Sequence, residues 1–168
     1  MNPTSPINQG RQMPRIIDAT IDDLPAILEL QKLCYRENAL RYSNDRILPL
    51  LQTLPEVEDE FRNSVFLKSM EGPQIVGSIR ACRRDTTCFI IRLFVHPDHQ
   101  NRGIGTSLMN AIELRFPDVD RYELFTGYRD EKNLRLYQRL GYRKTGKAEE
   151  KDGVLFWYLE KNGPQRHE

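Results

Sequence analysis

The spacing of apolar residues changes period along the chain, and the changes predict an alternating order of strands and helices. Arg15 to Ala19 predicts a first strand. From Ile21 the period becomes helical: Leu24, Ile27, Leu28, Leu30 and Leu33 share one side, and Thr20 suits the N-cap. Arg36 to Asn63 is charged and interrupted by Pro49 and Pro55, which predicts a second helical pair. Ser64 to Met70 and Gln74 to Arg84 predict a hairpin joined at Glu71-Gly72-Pro73. Thr87 to Val95 is a long, largely apolar central strand. Ile104 to Phe116 predicts a helix with Leu108, Met109, Ile112 and Phe116 inward. Arg121 to Thr126 is the next strand. A short helix from Asn133 to Leu140 follows, with Leu134, Leu136, Tyr137 and Leu140 along its apolar stripe and Gly141 as C-cap. Tyr142 to Glu149 and Val154 to Glu160 make a closing hairpin around Lys151-Asp152-Gly153. The order implies an α/β (α+β) fold, a mixed sheet with helices on both faces. It shows no repeat and no linker.

The central strand runs through His96-Pro97-Asp98-His99 into Gln100-Asn101-Arg102-Gly103-Ile104-Gly105-Thr106-Ser107 and then into a helix. Such a helix start presents unpaired N–H groups and the positive end of the helix dipole, which suits a phosphate. Gly103 and Gly105 keep side chains away from the backbone there. No Lys follows Gly105, so the string is not a P-loop. Leu108 stands where the dinucleotide fingerprint needs its third glycine, and no acidic ribose partner is apparent. A packing turn explains an isolated Gly-x-Gly, but a third phosphate pattern is met in full: Gln/Arg-x-x-Gly-x-Gly/Ala after a strand ending in Val-x-Pro. With it the chain resembles the GNAT superfamily of acyl-CoA-dependent N-acetyltransferases. The resemblance covers about Arg15 to Lys161.

The resemblance implies a mostly antiparallel central sheet, splayed between strands 4 and 5, with acetyl-CoA in the gap. It implies that backbone groups near Leu93 and Val95 bind pantetheine, and that Gln100, Asn101, Arg102, Gly103, Ile104, Gly105, Thr106 and Ser107 face the pyrophosphate. A second string, Asn133-x-x-x-Tyr137-x-x-x-Gly141-Tyr142, is similar to another family motif. It implies Tyr137 as the acid that protonates the leaving thiolate and Asn133 as a pantetheine contact. Many relatives carry their asparagine earlier, where this chain has Asp130. A core aromatic is the ordinary reading of a lone Tyr137.

A chain of 168 residues and this composition fit one enzyme domain, here 15–161, with tails at 1–14 and 162–168. Lys plus Arg is 25 against 24 Asp plus Glu, so no net charge points to nucleic acid or an anionic membrane. No apolar run approaches transmembrane length, and Met1 to Pro14 lacks the apolar core of a secretory signal. Cys34, Cys82 and Cys88 lack metal-ligand spacing and read as reduced thiols of a cytoplasmic protein, with no metal expected.

Acetyl transfer to an amine needs a base or water relay, a carbonyl polariser and an acid for the thiolate. Some relatives carry a glutamate on the central strand; Thr87 to Leu93 has no carboxylate. Glu123 is the nearest acidic candidate, against a surface charge alternating with Tyr122 and Leu124. His96 is an imidazole near the loop but is placed as a turn residue. Arg92 either binds a substrate carboxylate or pairs with a neighbouring acid. Glu56, Glu58, Asp59 and Glu60 either draw in a cationic amine or solvate a helix face. The acceptor amine is open, a homodimer through the closing strands is common in relatives, and a non-catalytic acyl-CoA sensor is the competing reading.

Overall fold

The computed structural model describes residues 13–151 and 153–164. The tails expected at 1–14 and 162–168 therefore lie outside the described residues, apart from Met13, Pro14 and residues 162–164.

Seven strands form one sheet in the order β1-β2-β3-β4-β5-β7-β6. They are β1 (Arg15–Asp18), β2 (Val65–Glu71), β3 (Gln74–Arg84), β4 (Thr87–Val95), β5 (Arg121–Gly127), β6 (Arg143–Lys151) and β7 (Val154–Asn162). Every pairing is antiparallel except β4 with β5. That parallel pairing covers only Thr87–Phe89 against Arg121–Glu123, although both strands continue. Beyond it the strands part, which opens the sheet at its centre.

The helices are α1 (Leu24–Arg41), α2 (Leu48–Leu51), α3 (Leu54–Arg62), α4 (Ile104–Leu114) and α5 (Glu131–Arg139). One core lies under α4 and α5, built from residues such as Ile79, Leu108, Met109, Ile112 and Leu159. The other lies under α1 and α3, around Leu24, Ile27, Val57, Phe66 and Phe94. The strand alternation supplies both, because successive side chains face opposite sides.

Three expectations need correction. The first helix does not end before Arg36; it runs to Arg41, because nothing from Arg36 to Arg41 breaks a helix. It begins after a short 3₁₀ turn, where the Thr20 N–H and hydroxyl both donate to Asp23 Oδ2, at 2.7 and 3.1 Å. The last helix starts at Glu131 rather than Asn133, since the Asp130 carboxylate caps it by accepting from the Asn133 N–H. Of its expected stripe only Tyr137 is fully buried. No helix among the described residues is long and apolar enough to cross a membrane.

Candidate active site

Where β4 and β5 part, a cleft of about 470 Å³ opens. The His96 N–H bonds back to the Val76 carbonyl of β3. By strand alternation, Val95 and Leu93 turn their backbone groups the other way, into the gap. The Val95 carbonyl there accepts from Gln100 Nε2 at 3.2 Å and from Cys34 Sγ at 3.3 Å. Its acceptor capacity is filled, and Leu93 lies beyond the last β4–β5 pair, at Phe89 and Glu123.

The start of α4 forms one wall. Gly103 sits at φ +80°, a left-handed conformation, with open space where a Cβ would be. Gly105 is also uncrowded by backbone; its nearest neighbour is Leu136 Cδ2 at 3.4 Å from an added Cβ. The first intrahelical bond runs from the Ser107 N–H to the Gly103 carbonyl, at 3.0 Å. The N–H groups before Ser107 therefore have no partner within the helix. Gly103, Ile104, Gly105 and Thr106 line the cleft, as do Gln100 and Asn101. Ser107 does not, and its N–H is committed to the helix. Arg102 points away from the lining and faces Glu71 at 3.9 Å, half exposed.

Tyr137 lines the same cleft at 5% exposure. Burial raises its phenol well above the ordinary value, with smaller contributions from Tyr35 and Asp130. The hydroxyl therefore holds its proton throughout the neutral range. Asn133 is also in the lining, but its Nδ2 donates to Asp130 Oδ2 at 2.9 Å. Asp130 itself is buried, faces Arg41 at 3.6 Å, and has its carboxyl raised by that burial against the pull of Asn133 and Arg41.

Glu123 is not brought to this cleft. It pairs with Arg121 Nε at 2.7 Å and borders a separate groove beside Glu60 and Phe89, below the point where the strands part. His96 accepts from the Asp98 N–H at 3.1 Å and shapes its turn. The acidic run of α3 serves structure: Glu56 accepts from Thr53 in a capping box, Asp59 meets Arg62, and Glu60 meets the buried Arg80 at 2.7 Å. The Cys34 thiol is pushed up to about 12 by burial and the nearby Glu37, which removes thiolate character. Among the described residues no group of His, Cys, Asp and Glu could hold a metal.

Two contributors had no sequence signal. Tyr35 of α1 lines the cleft and packs edge-on to Phe94, centroids 6.2 Å apart. Tyr42, just past α1, crosses to β5 and accepts from the Arg129 N–H at 3.1 Å. A Cβ at Gly127 would lie 2.0 Å from the Tyr42 hydroxyl, so only glycine admits that crossing.

A splayed sheet, a helix start with free N–H groups and a buried tyrosine at the gap define an acyl-transferase type of site. The acetyltransferase (GNAT) family model matches residues 24–142, and the chain belongs to that family. It is 29% identical over 137 residues to an uncharacterized N-acetyltransferase, ycf52, of Gracilaria tenuistipitata var. liui, across 77% of this chain and 67% of that protein. Its fold is shared with the PaiA N-acetyltransferase of Thermoplasma acidophilum, solved in complex with coenzyme A. There the TM-score is 0.76 at 18% identity, over 89% of this chain and 98% of that one. It is shared too with the ribosomal-protein-S18-alanine N-acetyltransferase of Escherichia coli, with TM-score 0.74 at 14% identity, over 93% and 97% of the two chains.

Proposed function

We propose that this protein transfers an acetyl group from acetyl-CoA to a primary amine by direct attack within a ternary complex. The observation that carries the reading is the convergence of the α4 N-terminus, the open edge of β4 and the buried Tyr137 hydroxyl on one cleft. The residues fit the cofactor. A pyrophosphate suits the unpaired N–H groups from Gly103 to Thr106, and the open space at Gly103 admits it. The pantetheine arm suits the backbone of Leu93, in the manner of an added strand.

Acetyl-CoA supplies the activated acetyl group as second substrate. The Leu93 backbone orients the thioester at the gap. Tyr137 holds the proton that the departing sulfur takes as the amine nitrogen bonds to the acetyl carbon. Its buried, raised phenol suits an acid rather than a base. With Glu123 outside the cleft, the amine proton leaves through water. Asp130 and Asn133 hold one another at the α5 cap, which fixes the height of Tyr137 beside the gap. The free thiols of Cys34, Cys82 and Cys88 support a cytoplasmic setting. Strand β6 is exposed along its length at the sheet edge and is the segment through which a homodimer would pair.

Calorimetric titration with acetyl-CoA, CoA and NADH, followed by free-thiol detection with an amine panel, tests the reading. Binding of both CoA species and not of NADH is expected. Tyr137→Phe should lower turnover roughly 10²–10⁴-fold with acetyl-CoA affinity little changed. Binding without turnover of any amine would favour the acyl-CoA sensor. Failure of both CoA species to bind would return the glycine loop to a packing turn.

A further inference from the structure

Two arginines are buried on the face of the sheet that α1 covers, and only one of them is compensated. Arg80 of β3, 1% exposed, meets Glu60 at 2.7 Å and donates to Gln31 at 3.1 Å and Gln52 at 2.8 Å. Arg92 of β4 is its cross-strand neighbour, next to the irregularity where the β3–β4 register shifts. At 8% exposure it lines the central cleft. Its Nη1 donates to the Ile91 carbonyl at 3.0 Å, and its Nε is buried with no partner. Among the described residues no carboxylate forms an ion pair with it. A buried guanidinium without a counter-charge is costly, and the nearby Arg80 adds like charge. The site is complete only when an anion enters.

The position of Arg92 indicates which anion. Burial raises the phenol of Tyr35 and the Arg92 guanidinium opposes that rise, which places the two in electrostatic reach. Tyr35 acts in turn on Tyr137. Arg92, Tyr35 and Tyr137 all line the one cleft, so the unpaired cation and the acid of the proposed reaction share it. The pyrophosphate wall at α4 is a different part of the cleft and already has its donors in the backbone.

We propose that Arg92 holds a carboxylate of the acceptor, so that the substrate class is small amines bearing a carboxylate, such as free amino acids. Arg92 and Tyr137 line the same cleft, so a small molecule that carries both groups can present its carboxylate to one and its amine to the other. A charge-assisted pair with the guanidinium would fix the amine beside the gap. The inference rests on the acetyl-transfer reading above.

The test is free-thiol release from acetyl-CoA with the proteinogenic amino acids and, in parallel, their amides. At least one amino acid should be used with kcat/KM about 10- to 100-fold above that of its amide. Arg92→Met should erase this preference, chiefly through KM, with acetyl-CoA binding unchanged by calorimetry; Arg92→Lys should recover part of it. Equal use of acids and amides, or turnover of other amines but of no amino acid, overturns the proposal even if Arg92→Met fails to fold, since both are read on the wild-type protein. Loss of acetyl-CoA binding by the wild-type protein, or turnover of no amine at all, would instead remove the underlying reading, so the two failures are distinct.

Discussion

At Gly103 a left-handed backbone and open space coincide at the start of α4. Its φ of +80° favours glycine, and the space around its Cβ position is open. A side chain there is strained by roughly 1 kcal/mol and projects where the pyrophosphate is proposed to sit. Gly103→Glu adds negative charge as well as bulk. It should abolish CoA binding in calorimetry while lowering stability only slightly; normal binding would refute the phosphate-loop assignment. Asp130 poses a different residue-scale problem. Burial raises its carboxyl, so the fold binds its proton more readily than the unfolded chain does. The charged form therefore weakens the fold above the folded pKa, and the penalty fades as pH falls through it. Asp130→Asn keeps an acceptor for the Asn133 N–H and removes the charge. It should raise the Tm at pH 7, with the gain shrinking toward acid pH in thermal melts. Cys34, read from the sequence as a reduced thiol, donates to the Val95 carbonyl in the cleft.

The element that most needed tertiary contacts is α3. Its acidic run looks like a solvated face, and Glu56, Asp59 and Arg62 do behave that way. Glu60 differs because it reaches the fully buried Arg80 and also accepts from Gln52 Nε2 at 2.6 Å. That contact fastens α3 and the α1–α2 region to the sheet beneath the cleft. Glu60→Gln should cost roughly 3 kcal/mol in urea unfolding, because it leaves Arg80 buried and uncompensated. Asp59→Asn is the comparison. Its pair with Arg62 has both side chains more than 70% exposed, so it should change stability by less than about 0.5 kcal/mol. The α5 cap belongs to this scale as well. Asp130 reads in sequence as a departure from the relatives' asparagine, yet in the fold it caps the helix that carries Tyr137.

For the whole molecule, the sheet's central opening links ligand to stability. A ligand that fills it binds only the folded state, so acetyl-CoA at about 100 times its Kd should add ~2.7 kcal/mol. Thermal melts should then show a Tm roughly 5–10 °C higher, with NADH producing no shift. The sequence by itself determined the order of elements, the central strand Thr87–Val95, the inward face of α4 and the glycine loop, because these rest on local periodicity and backbone conformation. Leu108, Met109 and Ile112 are all buried as their spacing requires, and Gly103 takes a left-handed angle that favours glycine. The splay between strands 4 and 5 was expected from the family resemblance, but only the tertiary structure decided that the strands part after Phe89, that Glu123 falls below that point, and that Arg92 lacks the partner that Arg80 has. Those outcomes depend on which residues meet across 20 or more positions of chain. Strand alternation names the side of the sheet a residue faces, but not what it finds there.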